Sequence, residues 1–335
     1  MLRAGNNIRR PSNNVEENAK LAHKTGNGPL KPLNQLSKPV LAKPVAVVQN
    51  DPLIKSQRIN LQDNEIKCLE MASDIYKYLV HHEKKFVLDE NYMDGGEPTS
   101  KMRRILVDWL VQVHLRFHLT PETLHLTKVD LQLLGISAMF VASKFEEVFL
   151  PDIYDYEFIT ENAFNKKQIL GMEQTILNTL EFDLSCPSSL VFARCLSRVL
   201  SEDESNPVDQ QAFYYAYNIC KCIGELALLD SVIASIPKSH IAIASMIIAL
   251  NVYPVDGIDP KKAEKACIEK LGADKEEIAD AVGLLAQVAC KNFKQPKLVA
   301  IKSKYQSTKL GQASNLLTDA VLEKIEAMGR QVDME

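Results

Sequence analysis

The sequence contains no long hydrophobic run. None of its apolar stretches approaches the about 20 residues that a helix needs to cross a bilayer, and the residues after Met1 lack the apolar segment of a secretory signal. We therefore expect neither a membrane span nor secretion. The seven cysteines are odd in number and scattered through helical patterns, which favours reduced thiols and a location in the cytoplasm and the nucleus.

The motifs of common catalytic sites are also absent. There is no glycine-rich phosphate loop, no GxSxG sequence and no Cys/His set with zinc spacing. His114 and His118 are an i, i+4 pair that could hold a metal, but the glutamate that a metalloprotease has after the first histidine is missing. We therefore expect a binding protein with no cofactor and no metal site, and not an enzyme.

The charge of the chain gives no general attraction to nucleic acid or to a membrane surface, because the formal net charge is −4. Residues 1–50 differ from this average, with eight Lys/Arg against two acids, several prolines and no aromatic residue. Such a segment buries too little apolar surface to offset its ordering entropy. We predict a disordered tail over residues 1–57, with a regulatory role favoured over nucleic-acid binding.

The rest of the chain has the hydrophobic periodicity of helices, and the alternation typical of strands is absent. The fold class is therefore predicted to be all-α, and its 335 residues are enough for two domains. The predicted helices run over about 60–82, 99–118, 121–147, 165–181, 188–201, 207–228, 238–252, 260–271, 274–293 and 314–328.

One stretch, MRRILVDWLVQVH at 102–114, contains the only tryptophan of the chain. Its apolar residues fall at i, i+3, i+4, i+7 and i+11, which is one stripe of a helix. A buried core helix is the simplest interpretation of such a stripe. The sequence that follows it changes that interpretation.

The stretch LQLLGISAMFVASKFEE at 131–147, together with 102–114, resembles the cyclin box. Three flanking segments are similar to mitotic B-type cyclins in particular, with an A-type cyclin as the near alternative. The second half also resembles the family, and the resemblance covers residues from about 60 to 305. The flanking segments are DIYKYL at 74–79, PDIYDYEFIT at 151–160 and MEQTILNTLEFDL at 172–184, and those of the second half are ELALLD at 225–230 and IPKSHIA at 236–242.

The resemblance implies two tandem cyclin boxes of five helices each, preceded by the tail and an N-terminal helix. The implied organisation is a tail at 1–57, a helix and loop at 58–97, a first box at 98–186, a second box at 187–305, and a C-terminal helix and tail at 306–335.

The family also implies the function. A cyclin is a non-catalytic subunit that binds and activates a cyclin-dependent Ser/Thr kinase, and a mitotic one drives the G2/M transition. The expected partners are a mitotic cyclin-dependent kinase, docking peptides of substrates and inhibitors, and the ubiquitin ligase machinery. No nucleic acid and no membrane are expected as partners.

Two sets of residues match functional positions of the family. The expected kinase-contact set has a charged pair, Lys144 and Glu173, surrounded by apolar residues. The expected docking groove captures short basic–apolar peptides. The apolar residues around the pair are Val141, Phe145, Leu177, Phe182 and Leu184, and the groove residues are Met102, Ile105, Leu106, Trp109, Gln112, Leu131 and Gln132. Arg103 and Asp108 match internal polar residues and are expected to be structural.

The first box departs from the family pattern between Leu126 and Leu131, where about 14 residues, or about four turns of helix, are missing. Either the second helix of the box shrinks to about two turns, or it fuses with the third into one rod of about 27 residues and about 40 Å. Either outcome exposes apolar surface. We therefore hypothesise that the chain folds poorly or binds kinase weakly.

The chain contains one candidate degradation signal, and two other protein classes are disfavoured by its sequence. A destruction box of the form Arg-x-x-Leu has its best match at Arg58-Ile59-Asn60-Leu61, beside a predicted helix. The two-box fold also occurs in general transcription factors, but the chain lacks the basic face and the zinc ribbon that those need. A scaffold of stacked helical repeats is disfavoured because no fixed period occurs.

Overall fold

The structure, a computed structural model, describes residues 72–88, 99–120, 132–201 and 208–331. Within these ranges the regular secondary structure is helical and no strand occurs, which confirms the all-α prediction. No helix of the described ranges is long and apolar enough to span a bilayer. The helices are α1 Ala72–Glu83, α2 Ser100–Phe117, α3 Gln132–Glu146, α4 Ile153–Ile159, α5 Lys166–Thr179, α6 Ser189–Ser201, α7 Gln210–Ala227, α8 Lys238–Val252, α9 Pro260–Leu271, α10 Lys275–Phe293, α11 Ala300–Lys304, α12 Ala313–Leu316 and α13 Asp319–Gln331.

The predicted tail at 1–57 and the suggested signal at Arg58–Leu61 lie outside the described residues. The N-terminal helix was expected over about 60–82, and its described part is α1. Tyr76 of α1 is 2% exposed, and Glu83 at its end is 5% exposed. The described N-terminal helix is therefore part of the packed fold.

Helices α2 to α5 form the described part of the first box, and polar side chains define several of their ends. The Thr99 side chain accepts a hydrogen bond from the Met102 N–H at the start of α2, and Asn165 and Gln168 form a capping box at the start of α5. The short helix α4 was not predicted. It begins with a capping box between Asp152 and Asp155, and its seven residues are too few to show a helical period.

The second box is built around α8, which packs against α6, α7, α9 and α10. The sequence explains the central position, because α8 has no charged residue after Lys238 and is apolar on all sides. Its bounds coincide with the predicted range 238–252. These five helices confirm the five-helix second box.

The end of the chain differs from the prediction of one helix over 314–328. The structure divides this region into α12 and α13, with Leu317 between them at ψ 64°, outside the helical range. Leu317 is 4% exposed, so the break places an apolar side chain in the core. Helix α13 then packs along α10.

The two boxes are joined by polar contacts from α2. The Arg103 guanidinium donates to the Leu228 carbonyl at 2.7 Å, and the Asp108 carboxylate accepts from the Ala300 N–H at 3.0 Å. Both side chains are buried. The expectation that Arg103 and Asp108 are structural is therefore confirmed.

A second connection runs from α1 to the second box. The Glu83 carboxylate accepts hydrogen bonds from the backbone N–H and the hydroxyl of Ser239, at the first turn of α8. Ser239 is separated from Glu83 by 156 positions in the chain. A buried carboxylate with two donors is stable only while they stay in place, so this contact fixes α1 against the second box.

The expected second helix of the first box, from 121 onward, lies outside the described residues, but its two ends constrain the alternatives. The Thr120 N–H donates to the Glu147 side chain, whereas a straight helix over 121–147 would place these residues about 40 Å apart. The residues on either side of the segment are thus in contact. The two alternatives for the second helix concern residues that lie outside the described ranges.

Replacing Gly311 by alanine is expected to lower the free energy of unfolding by about 2–4 kcal/mol. Gly311 has φ +62°, and an added Cβ would lie 3.0 Å from the Tyr215 ring and 3.2 Å from the Tyr214 ring. Both backbone strain and crowding therefore oppose the side chain. Urea unfolding followed by circular dichroism measures the change.

Gly272 provides the matched control, because it has nearly the same φ of +61° but no atom within 4 Å of an added Cβ. Gly272→Ala should cost only the backbone strain, about 1–2 kcal/mol. Equal losses for the two variants would show that the tyrosine rings move aside without cost.

Candidate functional site

The centre of the candidate site is an ion pair between two helices of the first box. Lys144 lies in the last turn of α3 and Glu173 in the middle of α5, and the two helices pack side by side. The Lys144 Nζ is 2.7 Å from the Glu173 Oε1 and 4.2 Å from the centre of the Phe140 ring. The two predicted residues are therefore brought together by the fold.

The pair is only partly covered. The Lys144 side chain is 41% exposed, whereas that of Glu173 is 11% exposed. An ammonium group has three N–H donors, and Glu173 takes one of them. The accessible lysine can thus donate to a docked partner while its charge stays balanced by the buried glutamate.

The predicted apolar residues around the pair differ in their exposure. Phe145 is 53% exposed and Phe182 is 68% exposed, while Leu177 and Leu184 are half-buried. Val141 was expected to be a contact residue, but it is only 5% exposed and presents little surface to a partner. It lies on the inner side of α3, so the accessible apolar surface comes from the other members.

Further exposed apolar residues, which follow the helix of Lys144 in the chain, were not predicted. Val148, Phe149 and Leu150 follow directly after α3 with exposures of 88%, 78% and 49%. Tyr154 of α4 is 61% exposed. The apolar run before Pro151 could have indicated these residues, because the run lies outside any helical period. Exposed apolar groups that are contiguous in this way are typical of interaction sites.

The loop that carries Phe182 is held in a strained conformation. Phe182 has φ 61° and Glu181 has φ 49°, in the left-handed region that side chains disfavour. The Phe182 N–H donates to the Leu177 carbonyl at 2.9 Å, which fixes the turn. Strain that the fold holds in place is frequent at functional sites.

The same loop is tied to α1 through a chain of hydrogen bonds. The Ser185 hydroxyl donates to the Asp183 carboxylate and lies 2.8 Å from the His82 Nε2. The hydrogen bond from Ser185 lowers the pKa of Asp183 below its usual value, with a smaller contribution from the positive charge of Lys85. Helix α1 therefore helps to position the loop with the exposed phenyl ring.

The predicted docking groove lies along α2. Met102 and Ile105 are 49% and 39% exposed, and Gln112 and Gln132 are half-buried. Leu131 lies outside the described residues. The structure thus leaves an accessible apolar strip with two amide side chains.

Two predicted groove residues are buried instead of exposed, since Leu106 is 2% and Trp109 5% exposed. They pack in the core of the first box. Gly135 of α3 allows this close packing, because a Cβ there would lie 3.3 Å from a methyl group of Leu106. Leu106 and Trp109 therefore support the strip from below.

The second box borders one side of this groove. The Gln112 amide donates to the Asp108 Oδ2 at 3.1 Å, while the Ala300 N–H binds the other oxygen of Asp108. Burial raises the pKa of Asp108, and these hydrogen bonds act in the opposite direction. Nearby, the Arg104 Nη2 is 2.9 Å from the Asp230 Oδ2.

One histidine of the i, i+4 pair contacts the backbone. The His114 Nε2 is 2.9 Å from the Thr120 carbonyl oxygen and is used in that contact. Among the described residues no group of three or more His, Cys, Asp or Glu side chains could hold a metal ion. The six described cysteines are free thiols.

Comparisons with known families agree with the architecture. The family described as "Cyclin, N-terminal domain" matches residues 74–185, and "Cyclin, C-terminal domain" matches residues 187–319. A viral cyclin from herpesvirus saimiri has a similar solved structure, with a TM-score of 0.55 and 16% identity over 65% of this chain and 97% of that chain. At this identity the likeness shows the fold alone.

Sequence relatives are much more similar. The G2/mitotic-specific cyclin-B1 of Caenorhabditis elegans is 66% identical over 357 residues, covering 100% of this chain and 99% of the relative. The G2/mitotic-specific cyclin-B of Patella vulgata is 34% identical over 284 residues, covering 78% of this chain and 66% of the relative. The nematode alignment is longer than the 335 residues of the chain, so this chain lacks internal residues that the relative has.

Proposed function

Because the chain belongs to the cyclin family and is a B-type cyclin, we propose that it binds a mitotic cyclin-dependent kinase and activates it at the G2/M transition. A cyclin is a regulatory subunit and not a catalyst. The names of its relatives, which are G2/mitotic-specific cyclins, support the mitotic role. We propose the nucleus and the cytoplasm as the places where it acts.

The observation that carries the proposal is the Lys144–Glu173 pair within exposed apolar surface. Burial of Phe145, Phe149 and Phe182 by a partner would exclude water from the pair. Interfaces draw most of their binding energy from such desolvated centres with aromatic anchors. The free donors of Lys144 would then bind carbonyl groups at the end of a kinase helix.

This geometry suits activation as well as binding. Kinase activity requires a lysine–glutamate pair around ATP, and the glutamate is on a mobile helix of the kinase. A rigid surface that binds this helix in its inward position shifts the equilibrium toward the active state, because it binds that state more tightly. The two packed helices α3 and α5 provide the rigid surface.

The groove on α2 supports a second part of the proposal, the docking of substrate and inhibitor peptides. Met102 and Ile105 offer two exposed apolar contacts about one helical turn apart, on which apolar side chains of a short peptide would bind. Recognition by the ubiquitin ligase machinery is proposed from the family alone.

A second candidate function is a cyclin that no longer activates its kinase efficiently. The internal residues absent relative to the nematode cyclin favour it, and so does the deletion predicted between Leu126 and Leu131. Loss of a helix segment leaves apolar surface uncovered, at a cost of several kcal/mol. The proposed contact with the mobile helix of the kinase lies on α3 and α5, outside the predicted deletion.

The deciding experiment is a pull-down and a histone-kinase assay with a mitotic cyclin-dependent kinase. The chain is tested beside a version in which the missing segment of the first box is restored. We expect both to bind and activate, since the Lys144–Glu173 contact is assembled in the shortened chain. We expect the restored version to bind more tightly, with each tenfold gain in affinity corresponding to about 1.4 kcal/mol of binding free energy.

Thermal melting of both versions separates folding from binding. Activity in the restored version alone, with a cooperative melt in both, would establish the second candidate function. Absence of binding in both would contradict the proposal of a kinase subunit.

A further inference from the structure

Three tyrosine rings form a row on the second box. Tyr214 and Tyr215 of α7 meet edge to face with ring centres 5.7 Å apart, and the Tyr215 ring is 6.0 Å from that of Tyr253, at the end of α8. Tyr214 is 39% exposed, and the other two residues are half-buried. This tyrosine face (Tyr214, Tyr215 and Tyr253) is separate from the kinase site and from the groove on α2, because both of those are in the first box.

The rings are fixed by the chain around Gly311. The Tyr214 hydroxyl donates to the Lys309 carbonyl at 2.8 Å. A Cβ on Gly311 would lie 3.0 Å from the Tyr215 ring and 3.2 Å from the Tyr214 ring, so this part of the backbone packs directly on both. Rings that are already ordered lose little entropy when a ligand binds to them. The tyrosine face is therefore a preorganised aromatic surface.

Two acidic residues lie at one end of the tyrosine face. Asp256 is exposed and follows Tyr253 by three positions, and its carbonyl accepts the Asp209 N–H at 3.0 Å. Asp209 is exposed as well, and its side chain caps the start of α7, the helix that carries the other two tyrosines. Aromatic-lined surfaces bind the polyproline helix, and carboxylates attract a cation. The face therefore suits a short proline-containing segment that also carries a basic residue.

The chain itself contains a segment of this chemistry. Residues 29–33 have the sequence PLKPL, in which Lys31 stands between two prolines that are three positions apart. A polyproline helix has three residues per turn and rises about 3.1 Å per residue, so prolines at this spacing lie on one side of it, about 9 Å apart. That distance falls within the two ring steps of 5.7 and 6.0 Å along the tyrosine face. Both prolines of the segment can thus meet the rings together.

The length and the charge of the chain allow this contact within one molecule. About 40 residues separate residue 33 from Ala72 at the start of α1, and a chain of that length spans at most about 130 Å. Helix α1 packs against α9, which begins at Pro260, shortly after Asp256. Residues 1–50 have eight Lys/Arg against two acids, in a chain whose net charge is −4. Reach and charge both favour residues 29–33 as the ligand.

From these contacts we infer that the tyrosine face of the second box binds residues 29–33 of the same chain. Pro29 and Pro32 pack on the rings, and Lys31 pairs with Asp256. A proline segment has little backbone entropy to lose, so a short contact of this kind is sufficient to hold it. The second box thereby anchors part of the N-terminal tail, at a site that kinase binding does not use.

The test uses a fluorescent peptide of residues 24–38 and a full-length proline variant of the chain, Pro29→Ala with Pro32→Ala, whose own segment no longer competes. Anisotropy titration of the peptide with this variant is expected to show saturable binding. The unaltered chain should bind the peptide about tenfold more weakly, because its own segment occupies the face at a high effective concentration. A peptide with both prolines replaced by alanine should also bind about tenfold more weakly.

Tyr214→Ala, added to the proline variant, should lower its affinity for the peptide by about tenfold. Tyr154→Ala is the matched control, because it removes a 61% exposed ring from the first box, and it should leave the affinity unchanged. An unchanged affinity with Tyr214→Ala would overturn the inference. Equal affinities for the two peptides would overturn it even if Tyr214→Ala does not fold. If the unaltered chain binds the peptide as tightly as the proline variant does, the ligand is a proline segment of another protein, and the assignment to residues 29–33 is wrong.

Discussion

Replacing Lys144 by glutamate is expected to weaken kinase binding by at least about 100-fold, or about 3 kcal/mol. The new carboxylate would lie beside Glu173, which the fold holds at 11% exposure and cannot release into water. Two like charges would then be enclosed by the docked kinase, and the donors of the ammonium group would be lost. Surface plasmon resonance with the kinase measures the affinity directly.

The substitution should leave the fold intact, because the Lys144 side chain is 41% exposed in the free chain. Lys262→Glu makes the same change of charge at an exposed position of α9 and should alter the affinity by less than about threefold. An unchanged affinity in a folded Lys144→Glu protein would show that the kinase binds elsewhere. The exchange Lys144→Glu with Glu173→Lys should recover only part of the loss, since it restores neutrality but not the accessible donor.

Helices with strong local signals were predictable from the sequence. Helix α8 has the predicted bounds because Pro237 precedes its first turn and a mostly apolar segment follows. Helix α9 has Pro260 in its first turn and Gly272 in the left-handed conformation at its end, which are the usual punctuation of a helix. In both cases the information is local, so no knowledge of the packing was necessary.

Short helices and breaks were not predictable in this way. Helix α4 has seven residues and α11 has five, which is too short for a periodic pattern. The break at Leu317 follows from the burial of its side chain by the rest of the fold. Such outcomes depend on tertiary packing, which a local pattern does not contain.

The candidate site was likewise only partly predictable from the sequence. Lys144 and Glu173 were identified by family resemblance, and the structure brings them within 2.7 Å of each other. The exposures of Leu106, Trp109 and Phe149 could not be derived from their apolar character, because apolar residues occur on surfaces as well as in cores. Arg104 and Asp230 are 126 positions apart in the chain, and no sequence pattern predicted their contact.

The ion pair between Lys304 and Glu225 is expected to be the most costly one to break for stability. Lys304→Met should lower the free energy of unfolding by about 3–5 kcal/mol, since it leaves a carboxylate buried without its cation. The Lys304 Nζ is 2.7 Å from the Glu225 Oε1, with side-chain exposures of 6% and 4%. The Tyr305 hydroxyl donates to the same oxygen at 2.9 Å. Denaturant unfolding followed by circular dichroism gives the change.

Glu225→Gln combined with Lys304→Met should recover most of the loss, because the double variant removes both buried charges together. Lys265→Met breaks an exposed pair and should cost no more than about 0.5 kcal/mol. A loss below about 1 kcal/mol for Lys304→Met would mean that Lys221 replaces the missing cation. Burial lowers the pKa of Lys221, and the charge of Glu225 acts in the opposite direction. A full loss would also affect the groove. Lys304 ends helix α11, and the Ala300 N–H of the same helix holds Asp108 of the first box.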